Sequence, residues 1–79
     1  MAQLMMALAA LRELEQDTQL PKNVKTKIAS TIQMLEQDGE TSIKVSRAQQ
    51  ELEALAEDNN MQAYTRTQIF NVVSLLEVL

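Results

Sequence analysis

Apart from its termini, the chain carries only two kinds of side chain that are charged at neutral pH: eleven Asp and Glu, and seven Lys and Arg. It has no histidine and no cysteine. That removes zinc and haem ligation, Ser-His-Asp and Cys-His nucleophiles and imidazole acid–base catalysis. A di-iron site in a helical bundle needs inward Glu-x-x-His pairs. The single glycine, Gly39, cannot build a phosphate-cradling loop. Asp38-Gly-Glu lacks the alternating carboxylates of a calcium loop. No catalytic, cofactor-binding or metal-binding residue is expected, and the chain reads as not an enzyme.

The carboxylates gather at Glu13, Glu15 and Asp17, at Glu36, Asp38 and Glu40, and at Glu51, Glu53, Glu57 and Asp58. Solvated helix faces and loop caps account for them; a divalent-cation site or a docking face for a basic partner is the alternative. The bases are placed less comfortably. Lys22, Lys25 and Lys27 open one helical segment, and Lys44 and Arg47 open the next. A cation at a helix N-terminus opposes the macrodipole, and an incoming anion would relieve it. Lys22, Lys25, Lys44 and Arg47 are thus candidate contacts for phosphate or RNA. Pairing with the acids that a bundle brings to the same ends explains them equally without a ligand.

The elements that must position these charges follow from composition. One glycine, one proline and an abundance of Ala, Leu, Met, Gln and Glu favour helix, and no hairpin signal argues for sheet. Apolar residues recur at three- and four-residue steps in four segments, which predicts helices over about 2–16, 21–37, 43–57 and 62–78. Their stripes are Leu4, Ala7, Leu8, Leu11 and Leu14; Val24, Ile28, Thr31, Ile32 and Leu35; Val45, Ala48, Leu52, Leu55 and Ala56; and Thr65, Ile69, Val72, Val73 and Leu76. Pro21 suits the first turn of the second helix, Gly39 a left-handed turn after it, and Thr41 or Ser42 the cap of the third. Short connections make neighbours antiparallel.

Seventy-nine residues allow one domain with a thin stability margin, so a homodimer is in play. The longest apolar run, Leu4 to Leu11, is too short for a bilayer and lacks a basic leader. A cytoplasmic protein with no membrane contact is expected. The net charge of −4 suits an ordinary soluble protein better than a free-standing nucleic-acid binder.

Shifted by 41 residues, the chain matches itself. Leu4 falls on Val45, Ala7 on Ala48, Leu11 on Leu52, Leu14 on Leu55, Leu20 on Met61 and Ile28 on Ile69. The polar matches Asp17/Asp58, Lys25/Arg66, Thr26/Thr67 and Glu36/Glu77 are not required by hydrophobic periodicity. The chain therefore reads as two similar helical hairpins with a HEAT-like period, too few for a solenoid and better packed as a closed antiparallel four-helix bundle. The repeated acid-to-base spacing suggests a structural clasp of Asp17, Lys25, Asp58 and Arg66. The last helix departs from its counterpart: Tyr64, Phe70, Leu75 and Val78 extend apolar surface beyond the core stripe. These are the candidate interface residues, with Met1, Met5 and Met6 adding soft apolar area.

The motifs Asp17, Pro21-Lys22-Asn23, then Asp58-x-Asn60-Met61, Arg66-Thr67 and Ser74 to Glu77 resemble those of Uncharacterised Protein Family 0147, short archaeal proteins. The resemblance runs from Asp17 onward. It departs at Gln62, where the family favours proline, at Phe70, where it favours tryptophan, and around the third helix. It implies a small four-helix bundle and an archaeal source, and brings no activity with it. The expected role is protein–protein interaction, as a small adaptor or homodimer with no small-molecule substrate. An accessory protein of a ribonucleoprotein particle such as the archaeal ribosome is the alternative.

Overall fold

Helix-forming residues with apolar side chains at three- and four-residue spacing build four helices in the computed structural model, which describes residues 2–58 and 61–79. They are α1 (Ala2–Glu15), α2 (Lys22–Glu36), α3 (Thr41–Ala56) and α4 (Ala63–Glu77). Among the described residues there is no strand. Met1, which figured among the apolar methionines, and Asn59 and Asn60, which fall within the motif Asp58-x-Asn60-Met61, lie outside them.

The helix ends show local chemistry at work. Pro21 stands at the cap of α2 rather than inside its first turn, and its carbonyl accepts hydrogen bonds from the Val24 and Lys25 amides. The ring costs no hydrogen bond there, because the first amides of a helix have no intrahelical partner. α3 begins earlier than expected: Glu40, not Thr41 or Ser42, is its cap, and the Glu40 carbonyl receives the Lys44 amide at 3.2 Å. Gly39 has φ +143°, with open space where a side-chain methyl would project, so backbone conformation and not crowding favours glycine.

Packing closes the four helices into a ring. α1 packs on α2 and α4, α3 packs on α2 and α4, and the diagonal pairs stay apart. Stacked HEAT hairpins would instead lay α1 alongside α3. This is an antiparallel four-helix bundle of 33 × 19 × 18 Å.

The internal correspondence is close. Displaced by 41 residues, Lys22–Glu36 becomes 63–77, the span of α4, and the last residue of α1 becomes the last of α3. All the buried residues but Val45 and Ala56, whose counterparts Leu4 and Glu15 are half-buried, map onto one another: Ala7/Ala48, Leu11/Leu52, Leu14/Leu55, Leu20/Met61, Val24/Thr65, Ile28/Ile69, Thr31/Val72, Ile32/Val73 and Leu35/Leu76. Leu20 and Met61 lie in the two hairpin turns and plug equivalent places under them. The turns repeat even their backbone bonds, Leu20 N–H to Asp17 O in one and Met61 N–H to Asp58 O in the other. The bundle therefore has a pseudo-twofold axis along its length.

Candidate interaction face

Most of the bases find partners within the bundle. Arg12 on α1 pairs with Glu36 on α2. Lys27 on α2 meets Glu51 on α3 at 3.5 Å. Lys44 donates to the Gln37 carbonyl at 2.8 Å, just past the end of α2. In an antiparallel pair the start of one helix lies beside the end of its neighbour. A lysine unfavourable for its own dipole thus sits well against the next one.

The four clasp residues are held differently from one another. The Arg66 guanidinium donates to the Ala56 carbonyl at 2.8 Å and to the Asp58 carbonyl at 3.1 Å. It caps the end of α3 within its own hairpin, through backbone oxygens, rather than tying one hairpin to the other. Asp17 accepts the Gln19 amide at 2.9 Å in an Asx turn. Lys25, the counterpart of Arg66, makes no equivalent bond among the described residues. The candidate anion contacts do not converge either. Lys22 and Lys25 open α2 at one end of the bundle, Lys44 and Arg47 open α3 at the other, about 22 Å away at 1.5 Å per residue.

Two surface clefts are related by the pseudo-twofold. One, of about 200 Å³, is lined by Asn23, Lys27, Glu51, Ala54, Leu55 and Asp58 between α2 and α3. The other, of about 260 Å³, is lined by Tyr64, Gln68, Ala10, Glu13, Leu14 and Asp17 between α4 and α1. Every lining residue of the first is the 41-residue counterpart of one in the second. Geometry is shared; chemistry is not. The α2/α3 seam is charged, bridged by Lys27 and Glu51 and continued by Arg47, Lys44 and Asp38. The α1/α4 seam replaces these with Gln68, Ala10, Met6, Gln3 and Leu79.

The candidate interface residues divide over this surface. Tyr64, 70% exposed, and the half-buried Leu75 share the α4 stripe that runs beside α1. Phe70, 46% exposed, is one turn from Arg66 and so on the flank toward α3. Val78 lies exposed beyond the end of α4. Met6, 56% exposed, and Leu79, 41% exposed, join Tyr64 and Leu75 along the α1/α4 seam. Ala10 and Gln68 complete it. Reading the last helix alone does not reveal them; the mismatches Met6/Arg47, Ala10/Glu51 and Gln68/Lys27 in the self-alignment carry that signal.

No helix among the described residues is long and apolar enough to cross a membrane. Nor do three or more carboxylates come together there as metal ligands. Fold and surface define a small antiparallel four-helix protein with one seam, α1/α4, that is lined by no lysine or arginine. The sequence model of the Uncharacterised protein family (UPF0147) matches residues 1–79, and the chain belongs to that family. UPF0147 proteins of the archaea Sulfurisphaera tokodaii and Metallosphaera sedula are similar to it. The first is 35% identical, with 96% of this chain and 86% of the relative covered. The second is 29% identical, with 99% and 89% covered. The crystal structure of the protein of unknown function MMP1188 superposes with a TM-score of 0.90 at 32% identity, covering 98% of this chain and 89% of that one.

Proposed function

We propose that the chain is a non-catalytic protein–protein interaction module that docks, on itself or on another protein, through the face formed by α1 and α4. The observation that carries this is the contrast between symmetry-related seams. The same backbone geometry is finished with both acids and bases on α2/α3, beside Met34 and Ile43, and with Met6, Ala10, Tyr64, Leu75 and Leu79 beside two carboxylates and no base on α1/α4. Protein interfaces are enriched in tyrosine and methionine and depleted in lysine and glutamate at their centres. An accessory role on a ribonucleoprotein draws less support, because its candidate bases are split between the two ends.

The test transplants one seam onto the other. Met6→Arg, Ala10→Glu and Gln68→Lys together give α1/α4 the chemistry that the fold already accommodates at Arg47, Glu51 and Lys27. Tagged wild-type protein recovered from native-host cells should bring a stoichiometric protein partner or a second copy, and the transplant should lose it. Retention by the transplant, or release of the wild type by RNase or moderate salt, would refute the reading.

A further inference from the structure

The charges left on the α1/α4 seam are both negative and both at one end. Glu13 and Asp17 line the cleft beside Tyr64, and the two outward stripes, Gln3, Met6, Ala10, Glu13 and Asp17 on one side and Tyr64, Gln68, Asn71, Leu75 and Leu79 on the other, hold no lysine or arginine. Neither carboxylate meets a basic side chain among the described residues. The dipoles do not settle the balance, because the electronegative end of α1 and the electropositive start of α4 meet beside these two carboxylates. At the equivalent end of α3, Arg66 supplies a cation to the Ala56 and Asp58 carbonyls. At the end of α1, Lys25 makes no such bond, and Arg12 is turned to Glu36 on the other flank.

A second copy of the chain would meet this seam with the same surface. It would add two more carboxylates to the interface and no base, leaving four acids to be desolvated or held apart. The seam is also a straight valley between antiparallel helices of 14 and 15 residues, about 21 Å or four turns long. A fifth helix laid in such a valley reads it through apolar anchors at i, i+3, i+4 and i+7.

We infer that the occupant of the α1/α4 seam is an amphipathic helix of another protein, its apolar stripe on Met6, Ala10 and Leu75 and its basic end on Glu13 and Asp17. This rests on the α1/α4 face being the docking surface, and it adds the partner's chemistry and polarity.

Two synthetic probes test it, both capped helical peptides of about 16 residues with leucines on one face. One carries a Lys-Arg pair at one end, the other Glu-Glu at the same place. Titrated into the isotopically labelled full chain, the basic probe should move the amide signals of Ala10, Leu14, Tyr64, Gln68 and Leu75. It should bind at least about tenfold more tightly than the acidic probe, and Glu13→Gln with Asp17→Asn should remove that preference. Equal affinity of the two probes, no binding by either, or shifts spread equally over Glu51, Glu53 and Glu57 would overturn the inference. Concentration-dependent dimerisation of the wild type, abolished by Met6→Arg, would overturn it in favour of a second copy and leave the face itself intact. Failure of the face is read separately, as retention of the cellular partner by the seam transplant.

Discussion

The α2/α3 and α1/α4 seams occupy equivalent positions in one pseudo-symmetric bundle, yet only the first has an acid and a base paired across it. Lys27 and Glu51 bridge it at 3.5 Å, and Lys44 closes its far end on the Gln37 carbonyl. Across the axis the same sites are glutamine, alanine and glutamine. Helix spans and most of the buried core are held constant between the two, so the core does not account for the change. A symmetric scaffold is its own control: what matches serves folding, and what differs is open to another purpose.

The contrast would break first if the two halves were not energetically alike. Leu11 and Leu52 are both fully buried counterparts, and replacing either with alanine should cost about 2–5 kcal/mol. Urea unfolding of the two variants should give losses within about 1 kcal/mol of each other; a wider gap would mean that the pseudo-twofold is geometric only.

The turns should differ where the cores agree. Arg66→Ala removes a guanidinium from two part-buried carbonyl contacts and should cost about 1.5 kcal/mol. Lys25→Ala should stay within about 0.5 kcal/mol. Thermal melts of the two variants read this directly, and equal losses would remove the asymmetry assigned to the ends of α1 and α3. Between the hairpins, Gly39→Ala meets open space but needs φ +143°, and should cost about 1 kcal/mol. A neutral result would mean that the connection relaxes.

The seam effects on stability are the smallest. A double-mutant cycle on Lys27 and Glu51, half-exposed partners at 3.5 Å, should give a coupling of about 0.5 kcal/mol that fades in salt. The transplant of Met6→Arg, Ala10→Glu and Gln68→Lys should alter stability by no more than about 0.5 kcal/mol while abolishing docking. A large loss of stability would show that α1/α4 is neutral for folding reasons, and would dissolve the comparison.

Much of the fold was legible in the sequence because helical periodicity leaves a local record. In α2, α3 and α4 the expected apolar stripes are the buried residues, and in α1 only Leu4 and Leu8 are less buried than their spacing implied. Both pack against the margin of the core, partly buried, rather than inside it. The candidate face was legible only in part. Tyr64 and Leu75 stood out as apolar residues beyond the core stripe, but Phe70 stood out by the same signal and sits on the other flank. Ala10 and Gln68 are ordinary by type, and each becomes informative only opposite Glu51 or Lys27.

The amino-acid order by itself determined four helices, their antiparallel succession and the repetition of one hairpin, because spacing, turn residues and propensity act over a few neighbouring positions. Which helices flank one another was decided in three dimensions. Only ring closure of α1 onto α4 makes a seam from segments as far apart in the chain as Ala10 and Gln68, and only that closure sets it against α2/α3. Arg66 likewise reads as half of an acid–base pair in the sequence. The end of α3, with carbonyls that no helical turn can satisfy, made it a cap.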